Sequence, residues 1–230
     1  MRVAALLVAS YLAGSIPSSH LAGRAAGIDL ARRGSGNLGG TNVFRVLGLK
    51  YALPVVLVDV GKGFVPAYLF RLWDGHGAPQ LALAYGLCAI AGHIWSVFVG
   101  LRGGKGVATS GGVLFALAPV ATLVGLLVWG GTVLLTRTAS VASLAAATLL
   151  PAATWLLDAP AETVGFTVGL SLLVWWTHRE NVARLLRGTE LSFDADGPGG
   201  AGGTRGGDGG DGRGAAPGSE DPERQGREGG

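Results

Sequence analysis

Charge is scarce in this 230-residue chain: only 14% of its residues are Asp, Glu, Lys or Arg, against roughly 25% in soluble domains. So few charges cannot cover a water-facing surface, and a mean hydropathy of +0.43 points to a bilayer instead. Cysteine is nearly absent. The single Cys88 excludes an intrachain disulfide and leaves no thiolate cluster for a metal. Inside an apolar run it reads as a small buried hydrophobe. No His, Cys, Asp or Glu cluster has the spacing of a metal site, so neither metal nor cofactor is expected, and no nucleic-acid partner. A cleavage site is also missing after the first apolar run, which therefore reads as a membrane helix rather than a signal peptide.

What remains is apolar chain in long runs: roughly 3–21, 51–72, 79–100, 107–136, 138–157 and 160–177. Each is near the ~20 residues that cross a bilayer, except 107–136, which is too long for one crossing. Residues 1–193 carry 14 Lys and Arg against 7 Asp and Glu, a net +7. Residues 194–230 carry 4 Arg against 8 Asp and Glu, a net −4. That Gly-rich acidic tail has almost nothing to bury and is expected to be disordered. The division is thus a membrane domain, 1–193, and a cytoplasmic tail, 194–230.

Basic residues prefer the cytoplasmic side. Arg24, Arg32, Arg33, Arg45 and Lys50 follow the first run, which places the N-terminus outside. Arg102 and Lys105 then fall inside. Arg137 and the group Arg179, Arg184, Arg187 fall inside only if 107–136 is two segments, divided at Pro119. An all-α polytopic bundle of about seven transmembrane segments follows, with three polar loops on one cytoplasmic face.

The first loop, 33–45, alternates glycines with Ser35, Asn37, Thr41 and Asn42 and ends on Arg45. Glycine lets backbone approach a ligand closely, and Arg offers a planar fork to phosphate. Thr41 or Asn42 is placed to cap a short helix through Arg45. The second loop sets Gly103, Gly104 and Gly106 around Lys105 at a helix start. Free N–H groups and an ammonium there favour an anion, although the Walker A spacing is absent. In the third, His178 and Asn181 stand at i, i+3 on a predicted helix, with Glu190 as a helix-end or interloop salt-bridge partner. Asp59 and Lys62, also at i, i+3 but within the second run, are expected to pair with other spans near the site.

These three loops, in this order and spacing, resemble the motifs of the bacterial acyl-phosphate:glycerol-3-phosphate acyltransferase family (PlsY). Ser15-Ile16-Pro17-Ser18 and Asp59 with Lys62-Gly63 also fit, and the likeness runs over about 4–191. It departs at Leu38, Gly40, Trp95-Ser96 and Arg102, where the family usually has Pro, Ala, Phe-Pro and Lys.

The resemblance implies a seven-helix fold in a bacterial inner membrane. It implies acyl transfer from acyl phosphate to the 1-hydroxyl of glycerol 3-phosphate, giving lysophosphatidic acid and phosphate, with no covalent enzyme intermediate. Ser35, Arg45, Lys105, His178 and Asn181 would be catalytic. Gly36, Asn37, Thr41, Asn42, Gly103, Gly104 and Gly106 would bind substrate. The base would be His178 or a substrate phosphate oxygen, and an upstream enzyme would supply the acyl phosphate. None of the four histidines has Asp five residues on, which argues against the acyl-CoA class built on such a dyad. A transporter of a phosphorylated solute would need mid-membrane polar residues and repeats, and only Asp59 and Lys62 answer. A lipid-binding scaffold leaves the placement of Ser, Asn and His unexplained.

Overall fold

The computed structural model describes residues 1–193; the expected disordered tail, 194–230, lies outside the described residues. Those described are all-α, with no strand. Helix α1 (Arg2–Ser15) bends at Pro17 into α2 (Ser18–Ala25). The short α3 (Gly40–Leu47) leads at Gly48 into α4 (Leu49–Val65). A π turn at Pro66–Phe70 carries α4 into α5 (Arg71–Trp73). Pro66 has no N–H to bond back along the helix, and a widened turn absorbs the loss. Then come α6 (Pro79–Ile94), α7 (Val107–Leu117), α8 (Pro119–Thr136), α9 (Ala139–Leu156), α10 (Ala161–Thr177) and α11 (Arg179–Leu186).

The long run 107–136 divides where the sequence predicts. Ala118 is forced out of the helical region, at φ −145 and ψ 70, because the following Pro119 crowds it. Five stretches are long and apolar enough to cross a membrane: Arg2–Ala25, Leu49–Trp73, Pro79–Val99, Pro119–Thr136 and Ala139–Leu156. The 11 residues of α7 and the 17 of α10 fall below that length.

Packing is inverted relative to a soluble bundle. Leu126, Leu127, Leu134 and Leu135 of α8 point outward, while Ser10, Ser15, Thr109, Thr154 and Thr167 are buried. Lipid tails are as apolar as leucine, so helices associate through small residues and internal hydrogen bonds. Two antiparallel crossings show this. A Cβ on Gly14 would lie 2.0 Å from the Ala89 carbonyl oxygen, and one on Gly92 would lie 2.1 Å from that of Tyr11. Backbone of α1 thus rests on backbone of α6. In the same way a Cβ on Gly63 would lie 2.1 Å from the Thr109 carbonyl oxygen and one on Gly112 would lie 2.0 Å from that of Val60, so α4 rests on α7. Between α9 and α10 the hydroxyls of Thr154 and Thr167 bond at 3.0 Å. Cys88 is only half-buried, contrary to its sequence reading, because apolar positions here can face lipid.

Backbone at a crossing cannot yield as a side chain can, so Gly112→Val is expected to destabilise by more than about 2 kcal/mol. Thermal unfolding of the detergent-solubilised protein measures this, with Gly111→Val as the control, since open space surrounds Gly111.

Candidate active site

The first loop is shaped by Asn42. Its side-chain oxygen accepts from the Ser35 N–H at 2.8 Å. Its amide donates to the carbonyls of Leu30 and Arg33, at 3.2 and 3.1 Å. With 1% exposure, the Asn42 side chain is committed to loop backbone. Gly34 follows at φ +58, where any Cβ would fall 2.3 Å from that same Asn42 oxygen. The chain is thereby turned to present Ser35, Gly36 and Asn37. Helix α3 starts at Gly40 with Gly39 as its cap residue and no side-chain cap bond. Neither Thr41 nor Asn42 caps it: both already lie within its first turn, and Asn42 is engaged elsewhere.

The second loop is laid flat on His93. The Gly104 N–H donates to the His93 carbonyl at 3.2 Å. A Cβ on Gly103 would lie 1.9 Å from that carbonyl oxygen, and one on Gly104 would lie 2.3 Å from the His93 Nε2. Only glycine fits this seat. The loop is tethered upstream by Ser96, whose hydroxyl donates to the Ser15 carbonyl at 2.5 Å and whose carbonyl accepts from the Leu101 N–H at 2.8 Å. Beneath the seat lies a buried polar floor. The Asp59 carboxylate accepts from Ser18 Oγ at 2.5 Å and pairs with Lys62 at 2.9 Å. Lys62 also donates to the Ile16 carbonyl at 3.0 Å. The pair therefore ties α4 to the bend between α1 and α2, the interspan role expected of it. Gly106, at φ +83, then turns the chain into α7.

In the third region α10 stops one residue before His178, which sits at φ −99 and ψ 6 between α10 and α11. The expected single helical face is thus broken at its first member. His178 Nδ1 donates to the Val174 carbonyl at 2.8 Å, since a carbonyl can only accept, and Nε2 keeps its lone pair. Burial, then the Lys105 charge, lowers the imidazole to about 4, so it is neutral at ordinary pH.

Lys105 joins the loops. Its ammonium donates to Asn181 Oδ1, and the Asn181 amide donates to Glu190. Glu190 also accepts from Ser140 Oγ at 2.8 Å and from Arg184 Nε at 2.7 Å. Burial works to raise its carboxyl, but these hydrogen bonds outweigh burial and keep it ionised. Lys105 is lowered to about 8, first by burial and next by Arg184, while Arg45 adds a smaller push and Glu190 opposes. Arg45 donates from Nη2 to the Leu191 carbonyl at 2.9 Å.

A cavity of about 210 Å³ opens between the loops. Ser35, Gly36 and Asn37 line one side, Gly103 and Lys105 another, and Glu180 and Arg184 of α11 the third. Thr41, Asn42, Arg45, Gly104, Gly106, His178 and Asn181 do not line it. Glu180 and Arg184 have no assigned role in the sequence reading. A helical projection of α11 places Asn181 and Arg184 three apart on one face, and that is the signal for Arg184.

The model of the family described as glycerol-3-phosphate acyltransferase matches residues 4–188. The glycerol-3-phosphate acyltransferase of Myxococcus xanthus is 44% identical over 191 residues, covering 82% of this chain and 98% of that protein. That of Geobacter sulfurreducens is 40% identical over 190 residues, covering 83% and 97%. Crystal structures of PlsY (YgiH), an integral membrane glycerol 3-phosphate acyltransferase, superpose on it at 37% identity. The glycerol 3-phosphate form gives a TM-score of 0.80, covering 85% of this chain and 97% of that one. The lysophosphatidic acid form gives 0.77, covering 84% and 96%.

The electrostatics of the cavity have a direct readout. Lys105 is expected to titrate near pH 8 in the ligand-free protein, followed by NMR of its 13C-dimethylated amine. Glu190→Gln removes a carboxylate that favours the ammonium, so the midpoint should move lower; an unchanged midpoint contradicts the coupling.

Proposed function

The chain belongs to the glycerol-3-phosphate acyltransferase family, and from that premise we propose that its acyl donor is an acyl phosphate and its acceptor the sn-1 hydroxyl of glycerol 3-phosphate. The protein is an integral membrane acyltransferase. What supports the finer reading is one observation: Lys105 stands in a polar cavity where three connections converge, with Arg45 and Arg184 close enough to depress its pKa. A clustering of cations that is costly without an anion is favourable with one. Both proposed substrates bring phosphate, and the solved relatives were crystallised in glycerol 3-phosphate and lysophosphatidic acid forms.

The chemistry is a displacement at a mixed anhydride. The hydroxyl oxygen of glycerol 3-phosphate attacks the acyl carbon, the new ester C–O bond forms, and the C–O bond to phosphate breaks. The hydroxyl proton ends on phosphate. Phosphate is a good leaving group, so no protein nucleophile is needed. Arg45 and Lys105 hold phosphate charge. Ser35, Asn37 and Thr41 offer side-chain hydrogen bonds to phosphate or to the developing oxyanion. The backbone N–H groups of Gly36, Gly103, Gly104 and Gly106 do the same. Asn42 serves binding indirectly, by holding Ser35 in place.

His178 and Asn181 position the attacking hydroxyl. The neutral His178 can accept a hydrogen bond at Nε2, but an imidazole lowered to about 4 is a weak base. A substrate phosphate oxygen, with a pKa of about 6, is the stronger acceptor, and we assign it the proton. The acyl chain reaches the site from lipid. The site lies at the cytoplasmic face of a bacterial inner membrane, where soluble glycerol 3-phosphate is available, and an upstream enzyme makes the acyl phosphate.

The decisive experiment supplies the purified protein with acyl phosphate and glycerol 3-phosphate and no other donor. Lysophosphatidic acid and inorganic phosphate are expected in equal amounts; absence of product ends the reading, and turnover with acyl-CoA alone would replace the donor. His178→Gln should keep kcat within about tenfold, because the residue orients rather than ionises; a loss beyond about 10³ would make it the base. For pH, a group lowered to about 8 loses its positive charge above that value. The kcat/KM for glycerol 3-phosphate should therefore fall above pH 8, about tenfold per unit, while Lys105→Arg removes that limb.

A further inference from the structure

The family match ends at residue 188, yet the chain beyond it is engaged with the site. Residues 190–193 form no helix, and ordering an irregular segment costs conformational entropy. Four contacts help to hold it. The Phe193 N–H donates to the Arg137 carbonyl at 2.8 Å. The Phe193 ring meets Phe44 edge-on at 5.5 Å. The Arg45 guanidinium lies over that ring, 5.6 Å from its centre. Arg45 Nη2 donates to the Leu191 carbonyl at 2.9 Å. At the other end of the segment Glu190 holds Asn181, Ser140 and Arg184.

Two of these contacts grip the guanidinium itself, one at its edge and one on its face. A free arginine samples many rotamers, and fixing it before substrate arrives removes that cost from binding. The other two contacts anchor the grip: to the connection between α8 and α9 through Arg137, and to α3 through Phe44. Arg45 thus takes part of its direction from the far end of the chain, 146 residues away.

We infer that residues 191–193 are a strap that aims Arg45, with Phe193 a positioning residue for substrate phosphate. The inference rests on the proposed role of Arg45 as a phosphate ligand, and the test separates the two. Steady-state kinetics are compared for Phe193→Ala, Phe193→Leu, Phe193→Trp, Arg45→Lys and Arg45→Lys/Phe193→Ala in the full chain. Phe193→Ala should raise KM for glycerol 3-phosphate five- to tenfold and leave kcat within twofold. Phe193→Trp, which keeps an aromatic face under the cation, should stay within twofold of the parent. Phe193→Leu keeps apolar volume without that face and should raise KM about threefold, and it carries the comparison if the alanine variant does not fold. Because the strap acts through Arg45, the double variant should match Arg45→Lys alone within twofold. A parental KM in Phe193→Ala beside a raised KM in Arg45→Lys overturns the strap and leaves Arg45 in place. Multiplying effects in the double variant also overturn it. A parental KM in Arg45→Lys overturns the role of Arg45, and the strap with it.

Discussion

Lys105 donates to Asn181, Asn181 donates to Glu190, and Glu190 takes further bonds from Ser140 and Arg184. An ammonium lowered to about 8 by burial must have such partners, because a desolvated cation without them is strongly unfavourable. The relay solves that problem without cancelling the charge. Asn181 is neutral, so Lys105 has a hydrogen-bond partner yet keeps its attraction for an anion. The carboxylate that balances the region is one residue further back, and Arg184 already occupies it. Had Glu190 paired directly with Lys105, the cavity would hold a closed ion pair and little appetite for phosphate.

The helix packing serves this arrangement. Close backbone contact at Gly14, Gly92, Gly63 and Gly112 draws α1 to α6 and α4 to α7. The Asp59–Lys62 pair and His93 are thereby brought together beneath the second loop. That floor is itself buried and polar. Ser18 and the Ile16 carbonyl bond to its ion pair, and the floor gives Gly103 and Gly104 a rigid seat. The floor, the seat and Lys105 form one column from the bundle interior to the cavity. Ser96 steadies its upper end by bonding to Ser15, at a position where relatives are expected to use the stiffness of proline.

Much of this was legible in the sequence, because the signals are local. Proline at 119 crowds its predecessor whatever surrounds it, so the split of the long run could be placed. Glycines alternating with Ser, Asn and Lys between apolar runs marked the loops. Less legible was what each polar side chain is spent on. Asn42 and Asn37 look alike in a sequence, and only the fold determines that one is consumed by the backbone of residues 30–35 while the other faces the cavity. His178 and Asn181 look like neighbours on one helix until the chain breaks at His178. Phe193 carries no local pattern at all. Its importance comes from meeting Arg45, and no spacing rule spans that distance.

The contacts that complete the site join distant parts of the chain. Lys105 waits for Asn181, 76 residues later, and Arg45 for Leu191. Synthesis from the N-terminus therefore makes the first two loops well before their partners exist. During that interval the cations of loops one and two have neither Asn181 nor the Leu191 carbonyl to arrange them. The wall supplied by α11 is thus the last to be made, and the lining from Ser35 to Arg184 is complete only once that helix is in place.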